Sequence, residues 1–180
     1  MRILKVRRHT MRRKPGQHLS QDGIALARLV GDAMGPFTLV VTSPIPRAVE
    51  TSIAMGFEVH QTLGALGNLP GGVLNGLGWP SPFAGVTWAV TKGLRCSEFA
   101  EVQAGLWRSI GERVPDSEQA LVVTHGAFVE LGTVEGTPEA GFDTWGDAIG
   151  YCEGVRLSYD GAFTACERLH VPEEYHLIEN

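Results

Sequence analysis

The sequence predicts an α/β fold, a three-layer sandwich with a mostly parallel central sheet and helices on both faces. Three observations lead there. Apolar runs of strand length alternate with segments of helical period, the order that builds βα units around a parallel sheet. Two of those runs, "FTLVVTS" and "ALVVTHG", are rich in apolar residues without alternation, as strands covered on both faces are. The chain has 180 residues, 43% hydrophobic and 19% charged, which suits one domain burying roughly 70% of its unfolded surface. No linker or internal repeat divides residues 1–180.

Each element has its own signal. "RILKV" alternates and runs into "RRHT", so a first strand delivers Arg8 and His9 at its C-terminal end. Pro15-Gly16 marks a loop. Ser20 caps a helix from about Gln21 to Met34, with Leu26, Leu29, Val30 and Ala33 on one stripe and Gly35-Pro36 closing it. "FTLVVTS" is the second strand. "SPIPRAVETSIAMG" opens a helix near Ile45 or Pro46 that Gly56 stops. "FEVHQTL" is the third strand. From Gly64 to Arg95 the periodicity fails: eight glycines and three prolines accompany Trp79, Phe83 and Trp88. The expectation is a Gly/Pro-rich insertion or lid at about 64–96, whose aromatics either close over a substrate or pack against the sheet edge. "SEFAEVQAGLWRSIGERV" is helical, with Phe99, Val102, Leu106 and Ile110 expected on the buried stripe. "ALVVTHG" ends in His125-Gly126, and "AFVELG" is a short helix. Residues 133–150 read as irregular. "YCEGVRLSYDGAFTACERLHV" is a hairpin turning at Asp160-Gly161.

Charge narrows the function. The chain carries a net charge of −5, yet seven of its fifteen Lys and Arg lie in the first fourteen residues, and no carboxylate precedes Asp22. That balance suits a pocket for a small anion. It disfavours duplex nucleic acid, whose binding depends on neutralising several phosphates. No apolar run reaches the ~18 residues of a membrane span, and the N-terminus lacks a signal-peptide core. The expected location is therefore cytoplasmic, with no membrane partner. Three widely spaced cysteines, Cys96, Cys152 and Cys166, suggest reduced thiols rather than a disulfide framework or a zinc site.

Ligands of such sheets gather at the carboxyl ends of the strands. Two of those ends carry His9 and His125, and the helix after the second strand carries Arg47 near its start. Singly, each has a plain structural role available, such as an ion pair between Arg47 and Glu50. Together they suit phosphoryl transfer. The forked guanidinium groups of Arg8 and Arg47 match phosphate oxygens. A neutral His9, oriented through its other nitrogen by a backbone carbonyl, attacks phosphorus, and water hydrolyses the adduct. His125 donates to the equatorial oxygens, a contribution of roughly 3–4 kcal/mol for a preorganised donor. This scheme calls on no metal and no cofactor. Arg12, Arg13 and Lys14 would steer anions to the pocket mouth, while Arg2, Lys5 and Arg7 would alternate outward.

"VRRHT" resembles the Arg-His signature of the histidine phosphatase superfamily, which includes the phosphoglycerate mutases. "LSQDGIALARLVG", "VVTSPIPRAVETS", "LVVTHGAF" and "CEGVRLSYDG" resemble its further motifs, in family order and across nearly the whole chain. The resemblance implies a single phosphoglycerate mutase-like domain, with His9 as the phosphorylated nucleophile and Arg8, Arg47 and His125 completing the phosphate pocket. It implies a small phosphorylated substrate or a phosphoprotein as partner and specifies no oligomeric state. Ser20–Gly31 and Ser43–Thr51 would be mostly scaffold.

The chain departs from the family pattern twice. Thr10 stands where the family usually has glycine, and its hydroxyl either adds a phosphate contact or is merely tolerated. The glutamate that many members carry after the third strand is absent, because no Asp or Glu occurs from 59 to 97. A placed acid contributes about 10²–10⁴-fold when the leaving oxygen is a poor alkoxide. The expectation is thus a metal-independent phosphatase acting on good leaving groups: phosphohistidine, acyl phosphates or aryl phosphates. Glu98, Glu101, Asp143 and Asp147 are candidate replacement acids. Mutase activity, which needs acid–base help in both directions, is disfavoured. The alternative is a phosphate-binding or regulatory protein on a catalytically impaired version of the fold.

Overall fold

Strand β1 (Arg2–Arg8) occupies the interior of the sheet and carries the Arg-His pair to its edge. The computed structural model describes residues 1–179. After β1 come α1 (Gln21–Gly31), β2 (Leu39–Thr42), α2 (Pro46–Ala54), β3 (Gln61–Thr62), α3 (Val73–Leu77), α4 (Phe83–Lys92), α5 (Leu94–Glu112), β4 (Gln119–Thr124), α6 (Phe128–Gly136), β5 (Gly154–Tyr159) and β6 (Phe163–Leu169). The sheet order is β3-β2-β4-β1-β5-β6. β1, β2, β3 and β4 pair in parallel, while β5 and β6 add an antiparallel edge. One core layer joins Leu4, Val6, Ala120 and Val122 to α3, α4, α5 and α6. The other joins Val40, Leu121 and Val123 to α1 and α2. This is the three-layer arrangement the alternation predicts. No helix among the described residues is long and apolar enough to cross a membrane.

Several boundaries differ from the sequence reading, each for a local reason. Ser20 caps α1 as expected, its Oγ accepting from Gly23 N at 3.0 Å. The α-helix stops at Gly31 rather than Met34, because Ala33 and Met34 donate to the carbonyls three residues back. β3 pairs over only two residues. Val40 N instead donates to His60 Nδ1 at 3.0 Å, so a side chain takes the bond a longer strand would make. The stretch 64–96 is helical rather than irregular, holding a short 3₁₀ turn, α3, α4 and the start of α5. Leu66, Val73, Leu77, Phe83, Val86 and Ala89 are buried in the core. Two of its glycines bound a helix: Gly72 and Gly78 flank α3 with φ of 89° and 66°. Residues 133–150 also gain structure, since α6 runs to Gly136 and two 3₁₀ turns follow.

The buried stripe of α5 is rotated from the expected one. Phe99, Gln103, Trp107 and Ile110 face inward, whereas Val102 is 56% exposed. Gly132 of α6 sets this rotation: a Cβ there would lie 2.5 Å from the Trp107 ring, so the indole packs directly on the glycine. The cations of β1 are also corrected. Arg7 does not alternate outward. It is buried and donates to the Cys152 carbonyl. Arg2 and Lys5 are partly buried, Arg2 pairing with Asp116 at 3.1 Å and Lys5 lying over the Phe37 ring. A strand flanked by β4 and β5 leaves little open surface for outward residues. All three cysteines are free.

α1 and α2 meet at Gly31, where a Cβ would stand 2.1 Å from the Met55 carbonyl oxygen. Helix propensity alone favours Ala over Gly by about 1 kcal/mol. The backbone contact reverses that sign, because overpacking costs roughly 1–3 kcal/mol. Gly31→Ala is therefore expected to lower the urea midpoint at an unchanged slope. A midpoint raised by the substitution would contradict this packing.

Candidate active site

Three segments converge at the carboxyl ends of the parallel strands. Arg8 N donates to Glu153 O at 2.9 Å and His9 N to Thr124 O at 2.8 Å, so the end of β1 is stitched to both flanking segments. Arg47 sits at the second position of α2 after Pro46, whose fixed φ suits a helix start. His125 follows β4 directly. These residues line one cavity of about 370 Å³ together with Arg12, Lys14, Trp79, Tyr151 and others. Four of the five predicted site residues, Arg8, His9, Arg47 and His125, thus come together.

The geometry fixes the state of His9. Arg47 Nε lies 3.0 Å from His9 Nε2. A guanidinium can only donate, so Nε2 must accept, and the ring proton sits on Nδ1. That proton points at the Thr10 carbonyl, 2.6 Å away. Burial above all, then His125 and the nearby Arg8 and Arg47, holds His9 well below the usual histidine range. His125 is pushed down to about 3 by burial and by the same arginines. His125 Nε2 lies 2.9 Å from Ser43 Oγ, which itself accepts from Ile45 N at 3.2 Å. The Nδ1 of His125 is buried and has no hydrogen-bond partner among the described residues. The two imidazoles meet edge to face at 5.0 Å.

Arg8 is held on several sides. Its Nη1 donates to Ile149 O at 2.8 Å, and its guanidinium lies 4.2 Å from the Tyr151 ring centroid and 5.7 Å from that of Trp79. Glu130, fully buried, accepts from Ile149 N at 2.8 Å, so Ile149 is held through both its N–H and its carbonyl. Burial raises the Glu130 carboxyl to about 7, against the pull of its backbone donors and Arg8. Gly126 is required for the Trp79 contact, since a Cβ there would lie 2.4 Å from the indole. Strain also concentrates here. Ala127, two residues beyond His125, has φ 69°, and Cys152, next to Tyr151, has φ 60°.

Thr10 takes a different place from the expected one. It is fully buried and absent from the cavity wall, and its amide donates to Thr51 Oγ1 at 3.0 Å. Its contribution to the site is the carbonyl that orients His9. Arg47 does not pair with Glu50, which instead meets His18 and Leu19 N. It donates to His9 and to Gln17 Oε1. None of Glu98, Glu101, Asp143 and Asp147 lines the cavity. Glu98 and Asp147 line other depressions on the surface. Of the insertion's aromatics, Trp79 reaches the pocket, Phe83 is core and Trp88 is 65% exposed. Arg12 and Lys14 stand at the pocket as expected, and Arg13 does not. Sequence reasoning missed Tyr151, Gln17 and Glu130, and treated Ser43 and Thr51 as scaffold. Ser43 and Thr51 bound the "SPIPRAVET" motif, which was the available signal. Nothing in the sequence pattern marks Tyr151 or Glu130.

No family model and no curated protein matches the sequence. Solved structures match its shape. A phosphoserine phosphatase from Entamoeba histolytica, in complex with 3-phosphoglyceric acid, is 13% identical at a TM-score of 0.69, covering 97% of this chain and 100% of the other. A phosphoglycerate mutase from Bacillus anthracis str. Sterne is 16% identical at 0.63, covering 93% and 92%. A mycobacterial glucosyl-3-phosphoglycerate phosphatase in complex with VO3 is 20% identical at 0.59, covering 93% and 97%. The fold is phosphoglycerate mutase-like.

Burial and the two arginines predict that both pocket histidines stay neutral in mild acid. Each ring is neutral when folded but titrates near 6.5 when unfolded. Each therefore contributes stability that is complete above about pH 6.5 and is lost as pH falls toward the folded pKa. Nitrogen-15 NMR should show His9 as the Nδ1–H tautomer, unprotonated from pH 8 to 5. A titration of His9 near 6.5 would contradict the site described.

Proposed function

We propose that the protein is a phosphatase that works through a phosphohistidine intermediate on His9. The observation that carries this reading is the tautomer: a neutral His9 locked by the Thr10 carbonyl, with its Nε2 lone pair turned toward the Arg47 guanidinium. In the proposed reaction, Arg8 and Arg47 take the phosphoryl oxygens, and Arg47 exchanges His9 for them. Nε2 attacks phosphorus, and His125 donates through the ring nitrogen that lacks a protein partner. Water then cleaves the phosphorus–nitrogen bond. The arginines supply the charge that a metal ion supplies in other phosphatases, so the activity is expected to survive a chelator.

The wall contributed by the insertion consists of Gly67, Leu69, Leu74 and Trp79, with no acid among them. Leaving groups that are stable without a proton fit this wall: phosphohistidine, acyl phosphates and aryl phosphates. Solved structures of similar fold include phosphatases for phosphoserine and for glucosyl-3-phosphoglycerate as well as a phosphoglycerate mutase; what disfavours a mutase in this reading is the acid-free insertion wall. The partner is a small phosphorylated substrate or a phosphoprotein, and the proposed location is the cytoplasm.

Hydrolysis of p-nitrophenyl phosphate in chelator tests the reading. His9→Ala should abolish turnover. Arg47→Ala should lower kcat by about 10²–10³-fold, the effect of removing one preorganised donor. Undiminished activity in His9→Ala would overturn the mechanism. Tight binding of phosphate esters without turnover of any would mark the binding-protein alternative.

A further inference from the structure

The pocket wall contains one carboxylate among the described residues, and it comes from a segment far from the insertion. Glu179 lines the cavity beside Arg8 and Tyr151 and interacts electrostatically with the Arg8 guanidinium. Its placement is built rather than incidental. The segment leading to it is fastened twice: Tyr151 N donates to Leu177 O at 2.9 Å, and His176 Nδ1 lies 3.2 Å from the buried Glu153. Glu153 is itself held by Gly150 N at 2.9 Å and Arg168 at 3.2 Å. Tyr151 is the residue whose ring lies under Arg8, so the anchor of the segment is part of the phosphate pocket. Two residues past this anchor, Glu179 emerges at the mouth with its side chain exposed.

Resting on the phosphatase reading above, we propose that Glu179 is the general acid–base, a catalytic residue supplied from a segment outside the acid-free insertion. In the first step the Nε2 lone pair of His9 forms the bond to phosphorus while the bond from phosphorus to the leaving oxygen breaks. The Glu179 carboxyl gives its proton to that oxygen and becomes a carboxylate. In the second step the carboxylate takes a proton from water as the water oxygen bonds to phosphorus. The phosphorus–nitrogen pair returns to Nε2, and both residues regain their starting states. The consequence is a wider substrate class: alkyl phosphates, whose leaving oxygen needs a proton, join the aryl and acyl esters.

The test compares an alkyl phosphate with p-nitrophenyl phosphate in wild type, Glu179→Gln and Glu179→Asp. Wild type should hydrolyse both esters. Glu179→Gln should lose about 10²–10⁴-fold in kcat/KM, which reads the steps up to leaving-group release, on the alkyl ester and far less in kcat/KM on the aryl ester, whose leaving oxygen needs no proton. Glu179→Asp should recover part of the loss. Equal activity of Glu179→Gln and wild type on the alkyl ester would overturn the proposal. So would an equal loss on both esters, which marks a binding role, or a gain on both, which marks a carboxylate that merely repels phosphate. A wild type that spares alkyl esters while cleaving the aryl ester also overturns it. His9→Ala separates the two readings: it removes both activities if His9 is the nucleophile, whatever Glu179 does.

Discussion

A single proton on His9 Nδ1, directed at the Thr10 carbonyl 2.6 Å away, sets what this site can do. It leaves Nε2 as the acceptor that Arg47 meets at 3.0 Å. A charged imidazolium would have no lone pair to offer, and the opposite tautomer would face Arg47 with a second donor. Burial and the surrounding cations keep the ring neutral, so the same arginines that suit a phosphoryl group also preserve the Nε2 lone pair beside them.

The fold serves that arrangement by fixing backbone rather than by filling space. His9 is stitched to Thr124, Thr10 to Thr51 and Arg8 to both Glu153 and Ile149. Each connection joins the end of β1 to a different element, so the His9 ring is referenced to β4, α2 and the segment before β5 together. The strained residues Ala127 and Cys152 follow the same logic. Backbone in a sparsely populated region costs of order 1–3 kcal/mol, and here it lies beside the residues that carry His125 and Tyr151 into the cavity.

The architecture and four residues of the candidate site were legible in the sequence, because parallel strands produce continuous apolar runs and their carboxyl ends are where such sheets gather ligands. "RRHT" and "VVTHG" give both signals at once. Three kinds of feature were not legible. Thr10 carries a hydroxyl, which invites a phosphate contact, yet its backbone is what the site uses. Gly64–Arg95 hides its helices because glycine and proline there mark the limits of short helices rather than a loop. Tyr151 and Glu179 reach the pocket only through tertiary pairing, and spacing from the "RRHT" and "VVTHG" motifs says nothing about that. Val102 shows the same limit in the core: its period fits the stripe of α5, but the Trp107–Gly132 contact turns the helix away from it.

The most direct measurement is the site of phosphorylation. Rapid mixing with an aryl phosphate, quenching in alkali and phosphorus-31 NMR of the trapped protein would locate the phosphoryl group. The account predicts an acid-labile adduct on Nε2 of His9, because Nδ1 is committed to Thr10. An adduct on Nδ1, an adduct on another residue, or substrate turnover with no trapped phosphoenzyme at all would contradict it.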